Sequence, residues 1–294
     1  MRHADQAMYV AKQAGKNCYR FFDTAQDEAV NIQQKSLGDI HLALERREFV
    51  LHYQPKVNMH TGEVIGVEAL IRWQHPVRGL VSPLDFLPII EGHTTSVEVG
   101  EWVIDAALLQ MSQWQNMGFT LPISVNISAY QLQQLDIVER LAALLAAHPD
   151  VKPQHLEVEV LETSALDDVK HVSTIMDACM ALGVRFALDD FGTGYSSLTY
   201  LRRLPVHVIK IDQTFVRDML EDVDDLAIVG GVVALAKSFK REVIAEGVET
   251  IEHGTALLQL GCELAQGYGI ARPMPAENIP AWLKEWKTDN VWRP

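Results

Sequence analysis

Eight short β-rich runs, most of them followed by a stretch with helical periodicity, predict an α/β fold: a TIM-like (β/α)8 barrel with its first strand antiparallel. Three observations point there. Runs and helical stretches alternate over residues 48–290. The first connection, His60-Thr-Gly-Glu63, is too short for a helix and predicts a hairpin, so strands one and two run antiparallel and the rest parallel. Each run also ends near a polar residue of a kind that binds metals or phosphates, and in a barrel those ends meet at one mouth. A doubly wound sheet is the other architecture that such an alternation allows.

The elements follow in order. Residues 1–22 hold a helical pattern over Ala4–Gly15 and a short strand at Asn17–Phe22. So small a pair cannot bury a core alone and reads as the tail of a neighbouring domain. Residues 23–47 are polar and helix-compatible, predicting a linker and lead-in helix. Strands are expected at Val50–Lys56, Val64–Ile71, Ile123–Ile127, Leu156–Leu161, Val184–Asp189, Val206–Ile211, Glu242–Glu246 and Glu263–Tyr268. Helices are expected at Glu98–Met117, Tyr130–Ala147, Asp167–Leu182 and Leu226–Phe239. The stripe Leu108, Met111, Trp114 and Gln115 predicts core packing. The acidic run Glu221–Asp225 reads as a solvated loop leading to a helix N-terminus.

Composition narrows the function classes. Of 294 residues, 48% are hydrophobic and 22% charged, which excludes a disordered chain. Asp and Glu number 39 against 25 Lys and Arg, a net charge of −14 that speaks against coating a nucleic-acid polymer. Cys18, Cys179 and Cys262 form no CxxC or zinc spacing and read as reduced thiols in the cytoplasm. No apolar run approaches the ~20 residues of a membrane span, so no membrane contact is expected of this segment. Anchoring of a longer parent protein is a separate matter. Neither an HExxH pair nor a GxSxG elbow occurs.

The polar strand ends are Gln54, Glu68, Asn126, Glu159, Asp189 with Asp190, Lys210, Glu246 and Gln266. Strand alternation aims Lys210 inward with Val208 and Asp212, and puts Glu157 and Glu159 on one face. Five carboxylates gathered together repel strongly, by ~4 kcal/mol for a pair at ~4 Å and an effective dielectric of ~20. Two divalent cations would cancel four of the five charges. All-oxygen donors plus the Asn126 amide favour Mg²⁺ or Mn²⁺ over zinc. Adjacent Asp189 and Asp190 suit a bridged pair of ions, which activates water against a phosphodiester. Lys210 would orient that water or meet developing negative charge. Glu157, Arg185 and Glu242 lie deeper and read as a structural ion network. Glu162 and Glu249 each fit a loop anchor or a supporting site residue equally well. Gly192-x-Gly194 lacks the third glycine of a dinucleotide loop.

In this order the motifs resemble the EAL domain family of cyclic di-GMP phosphodiesterases. They are Tyr53-Gln-Pro55, Glu68-Ala-Leu-Ile-Arg-Trp73, Val125-Asn-Ile-Ser128, Glu157-Val-Glu159, Asp189–Ser197, Ile209-Lys-Ile-Asp212, Ala245-Glu-Gly-Val-Glu-Thr250, Gln266-Gly-Tyr268 and Arg272-Pro-Met-Pro275. The likeness runs from about Leu37 to Trp286. Residues 1–22 resemble the C-terminal end of a GGDEF domain without its signature, which implies no cyclase activity of their own. The resemblance implies a TIM-like barrel that linearises cyclic di-GMP to 5′-pGpG by in-line water attack. It implies one cation on Glu68, Asn126, Glu159 and Asp189, and a second chiefly on Asp189 and Asp190 with Glu246 nearby. Lys210, Glu246 and Glu68 would be catalytic. Gln54, Leu70, Arg72 and Gln266 would contact substrate, with Arg72 facing a phosphate. Glu162, Asp212 and Glu249 would be supporting residues, Glu162 steadying the loop Phe191–Ser197 after the fifth predicted strand. That loop would also mediate a homodimer. Leu161 stands where the family often has threonine. A non-catalytic cyclic di-GMP receptor is the alternative function; such members usually lack a ligand, and every ligand position is filled here.

Overall fold

The computed structural model describes residues 24–166, 168–193 and 198–292, and the chain divides into two compact units, residues 1–46 and 47–294. In the first unit Thr24–Glu45 is a single helix, closed by the Arg46 N–H donating to Leu42 O at 2.9 Å. The remnant expected at residues 1–22 lies outside the described residues.

In the second unit ten strands among the described residues share one sheet. They are β1 (Phe49–Asn58), β2 (Val64–His75), β3 (Gly79–Val81), β4 (Ile123–Asn126), β5 (Leu156–Leu161), β6 (Arg185–Phe191), β7 (Val208–Ile211), β8 (Glu242–Ala245), β9 (Leu264–Ala265) and β10 (Met274–Pro275). Eight of them close a ring in the order β1, β2, β4, β5, β6, β7, β8, β9 and back to β1. β1 is antiparallel to both its ring neighbours, β2 and β9, while every other ring pairing is parallel. β3 and β10 are short antiparallel additions to β2 and β1.

Sequence alternation explains how the barrel fills. In β5, Leu156, Val158 and Val160 face one way and Glu157 and Glu159 the other, and all five are buried. A strand covered by helices outside and packed inside must bury both faces. An apolar floor of Ala187, Val208 and Ile244, with Ile65 and Leu264 against it, lies in the barrel. Below it a cavity of about 620 Å³ opens at the N-terminal ends of the parallel strands, bordered by Lys56, Glu157, Arg185, His207 and Glu242.

Several expectations are corrected. Leu108, Met111 and Trp114 of helix Thr94–Asn116 are buried, but Gln115 flanks the stripe and is exposed. The helix expected over Tyr130–Ala147 is two, Ala129–Leu132 and Ile137–Ala147. Leu132 and Ile137 are both buried, and a continuous helix would set residues five apart about 140° apart, so the break restores a common facing side. The strand expected over Glu263–Tyr268 stops at Ala265. Beyond it Gly267 packs on the Val248 backbone so closely that a Cβ would lie 2.2 Å from it, which only glycine permits. Only Glu221 and Asp222 of the acidic run precede a helix: Val223–Asp225 form the first turn of Val223–Ser238, where Asp222 accepts from the Asp224 N–H at 2.8 Å.

Cys179 and Cys262 are free and buried, and burial pushes their thiols up to about 11 and about 12. No helix among the described residues is long and apolar enough to cross a membrane.

Candidate functional site

Strand ends at the C-terminal mouth of the parallel strands bring the acids together around one lysine. Lys210 on β7 is almost fully buried. Its Nζ lies 2.5 Å from Glu159 Oε2, 2.7 Å from Glu246 Oε1, 3.0 Å from Asp189 Oδ1 and 3.6 Å from Glu68 Oε2. Two carboxylate triads emerge: Glu68, Glu159 and Asp189, and Asp189, Asp190 and Glu246, with Asp189 in both. One ammonium cannot neutralise them. Burial, aided by neighbouring acids, pushes the carboxyls of Glu68, Asp189 and Glu246 up. Burial also works to raise Glu159, but Lys210 and Lys56 outweigh it and hold that carboxyl down at about 2. Burial opposes the Lys210 charge, yet Asp189, Glu159, Glu246 and Glu68 together raise it well above its ordinary value.

Asp189 and Asp190 are neighbours, and simple strand alternation would point them to opposite faces. Asp190 adopts φ 52°, a left-handed conformation that aspartate tolerates better than most residues. The β6–β7 register also shifts between Leu188 and Phe191. Both carboxylates therefore reach the mouth. Burial, Asp189 and Asp212 push Asp190 up to about 7.

β1 and β2 build the adjoining wall. Gln54 opposes Glu68, His52 opposes Leu70 and Val50 opposes Arg72, so one face rises from the acids toward solvent. Gln54 and Glu68 lie mid-strand rather than at strand ends. Because β1 is antiparallel its C-terminal end points to the base, which corrects the picture of one polar residue closing each strand. Glu68 accepts from Asn126 Nδ2 at 2.7 Å and from Gln266 Nε2 at 2.6 Å. Gln266 Nε2 also reaches Gln54 Oε1 at 3.0 Å, while Gln266 Oε1 is buried without a partner. Leu70 and Arg72 are half-buried above this layer, and Arg272 stacks over the Tyr268 ring at 4.3 Å.

The remaining predicted residues divide. Glu162 accepts from the Gly192 N–H at 2.9 Å, tying helix Glu162–Leu166 to the turn after β6. Residues 194–197 of that loop lie outside the described residues. Asp212 caps helix Gln213–Asp218 by accepting from the Thr214 N–H at 2.9 Å, and it sits beside Asp190. Glu249 is exposed and is absent from both triads. Glu157, Arg185 and Glu242 do form an ion network, with Arg185 2.5 Å from Glu242 and 3.6 Å from Glu157. The network has a member that sequence reasoning missed. Lys56 is 2.8 Å from Glu157 and 3.6 Å from Glu159. Its alternation with Gln54 on β1 was the available signal.

This constellation can be set beside known proteins. The profile described as the EAL domain matches residues 38–273. The chain belongs to the EAL domain family. It is 45% identical over 282 residues to the bifunctional diguanylate cyclase/cyclic di-GMP phosphodiesterase MucR of Pseudomonas aeruginosa, covering 96% of this chain and 41% of that protein. It is 37% identical over 286 residues to the cyclic di-GMP phosphodiesterase PdeR of Escherichia coli, covering 97% of this chain and 43% of that one. The chain thus spans less than half the length of these curated relatives. A solved structure described as the PaMucR phosphodiesterase in complex with c-di-GMP matches with TM-score 0.80 and 45% identity, over 83% of this chain and 99% of that one.

EAL domains depend on metal, and the donor set of this EAL domain fits a cation. The donors are all oxygen, they form two triads sharing one carboxylate, and burial and mutual repulsion push four of the five acids above their ordinary values.

Proposed function

We propose that this EAL domain hydrolyses cyclic di-GMP to linear 5′-pGpG using two divalent cations, Mg²⁺ or Mn²⁺. The two triads that share Asp189 beside Lys210 carry this reading. Glu68, Asn126, Glu159 and Asp189 would hold one cation, and Asp189, Asp190 and Glu246 the other. Bound there, such ions activate water and stabilise the departing oxygen of a phosphodiester. The chain's own groups do the rest. Arg72 offers a guanidinium fork to a phosphate from the rim of β2. Leu70 gives apolar contact beside it. Gln54 and Gln266 orient the dinucleotide above Glu68. Lys210 would orient the attacking water by donating a hydrogen bond to it, and Glu246, 2.7 Å from that ammonium, would accept the proton the water loses. Water adds to phosphorus, the P–O3′ bond breaks, and the 3′ oxygen leaves with a proton. Glu162 steadies the turn after β6, and Asp212 fixes Asp190 from behind.

Chromatography of the purified chain with cyclic di-GMP tests this. Linear product is expected with Mg²⁺ or Mn²⁺, little with Ca²⁺, whose coordination is looser, and none with a chelator. Tight dinucleotide binding without product under either active ion would leave a receptor module instead. The resemblance also carries a homodimer through the loop after β6, and sedimentation showing only monomer at high concentration would remove it. On this reading the domain works in the cytoplasm, where thiols such as Cys179 and Cys262 stay reduced.

A further inference from the structure

Lys56 belongs to the basal network by position, yet its ammonium also reaches the metal end of the barrel. It is 7% exposed, and its Nζ contacts Glu157 Oε1 at 2.8 Å, Ser124 Oγ at 2.9 Å and Glu159 Oε1 at 3.6 Å. Glu159 is fully buried, and its two oxygens meet different lysines, Oε1 the basal Lys56 and Oε2 Lys210 at the mouth. Oε2 meets Lys210 at 2.5 Å, whereas Oε1 has no close hydrogen bond among the described residues; Lys56 lies 3.6 Å from it, and the Ser124 hydroxyl also helps hold the Glu159 charge. Alternating charges therefore form a continuous column, Glu242, Arg185, Glu157, Lys56, Glu159, Lys210, from the basal cavity to the mouth. Glu157 and Ser124 leave the Lys56 ammonium little freedom, so it is a fixed point beneath Glu159.

We infer that Lys56 is a positioning residue for the metal centre: clamped by Glu157 and Ser124, it holds the lower oxygen of Glu159 so that the upper one is aimed at the cation. This rests on the metal-dependent reading above. Partners that orient metal-binding side chains from behind commonly matter by 10–100-fold in metal affinity. Plain electrostatics predicts the reverse, because deleting a positive charge near the site should tighten binding of a cation. The sign of the effect decides between them.

The experiment is calorimetric titration of Mn²⁺ into the whole chain without substrate, for wild type, Lys56→Met and the double variant Lys56→Met/Glu157→Met. The double variant removes both members of the basal pair, so no buried charge is left alone and the fold is kept. Positioning predicts Mn²⁺ affinity weaker by about tenfold or more in both variants, with the KM for cyclic di-GMP unchanged at saturating Mn²⁺. Recovery of affinity in the double variant would mean that the single variant suffered only from misfolding, and overturns the inference. So would affinity within twofold of wild type, or tighter, in either variant. Wild type that takes up no Mn²⁺ would sink the metal-dependent function itself, a result distinct from normal wild type with unaffected variants.

Discussion

The two ends of the barrel carry nearly the same residue types and differ in how the charges are matched. At the base, Glu242, Arg185, Glu157 and Lys56 alternate in sign, and each acid has a base within 3.6 Å. At the mouth, five carboxylates gather around the Lys210 ammonium, Lys56 reaching only Glu159 from below at 3.6 Å, and Glu68, Asp189 and Glu246 also pair with Lys210. Balanced charges make a structural network, because each ion's desolvation is offset by a neighbour. Unbalanced ones are tolerable only if the acids take up protons or if cations arrive from solution. The contrast teaches that the charge left over, rather than the number of charged residues, marks the working end.

Lys210→Met should break the contrast most severely. It leaves buried carboxylates without their shared partner and should cost about 3–5 kcal/mol of stability in chelator, much of it restored by Mn²⁺. Urea unfolding with and without metal measures this, and equal losses in both conditions would deny that cations serve the same charges. In the loaded enzyme turnover should fall more than substrate affinity. Glu68→Ala should reduce turnover by at least ~100-fold while leaving the fold intact, as read by linear product formed per minute and by circular dichroism. Near-normal turnover would remove Glu68 from the metal centre.

A pH series sharpens the comparison further. The Asp190 carboxyl sits at about 7 when folded, against an ordinary value of 3.8. A raised acid favours the folded state while protonated, so its contribution is complete below the ordinary value and is lost as pH climbs through about 7. Metal-free protein should therefore lose stability from pH 4 to 7, and Mn²⁺ affinity should rise over the same span. Urea midpoints in chelator that rise steadily across this window would contradict the sign. The smallest effect is expected at the base. Glu242→Gln removes a partly exposed partner of Arg185 and should change stability by less than about 1 kcal/mol, with turnover within twofold. A collapse of turnover there would erase the distinction between the two ends.

Much of this was legible in the residues. Alternation in Leu156–Leu161 gave both the strand and the inward aim of Glu159, and the short His60–Glu63 connection gave the antiparallel first pair. Other features depend on contacts distant in sequence. The one local sign of a new helix is Asp136 with Glu139 three residues on, a helix-start pattern, and the reason for the break lies in what Leu132 and Ile137 must both face. Glu249 reads equally as a loop anchor or a supporting residue from its motif, and the turn after β8 places it at the surface. Lys56 reads as an ordinary strand lysine until the closed barrel lets its side chain reach inward from β1 to Ser124 on β4 and Glu157 on β5.

The sequence by itself determined the family, the barrel and the set of acids, because side-chain alternation and motif order are local properties of the chain. Tertiary structure alone decided which acids gather into each carboxylate triad, that Asp190 turns to join Asp189, and that Lys210 stands among four carboxylates. Those facts rest on distances between strands far apart in the chain, and electrostatic energy depends on distance, which residue order does not encode.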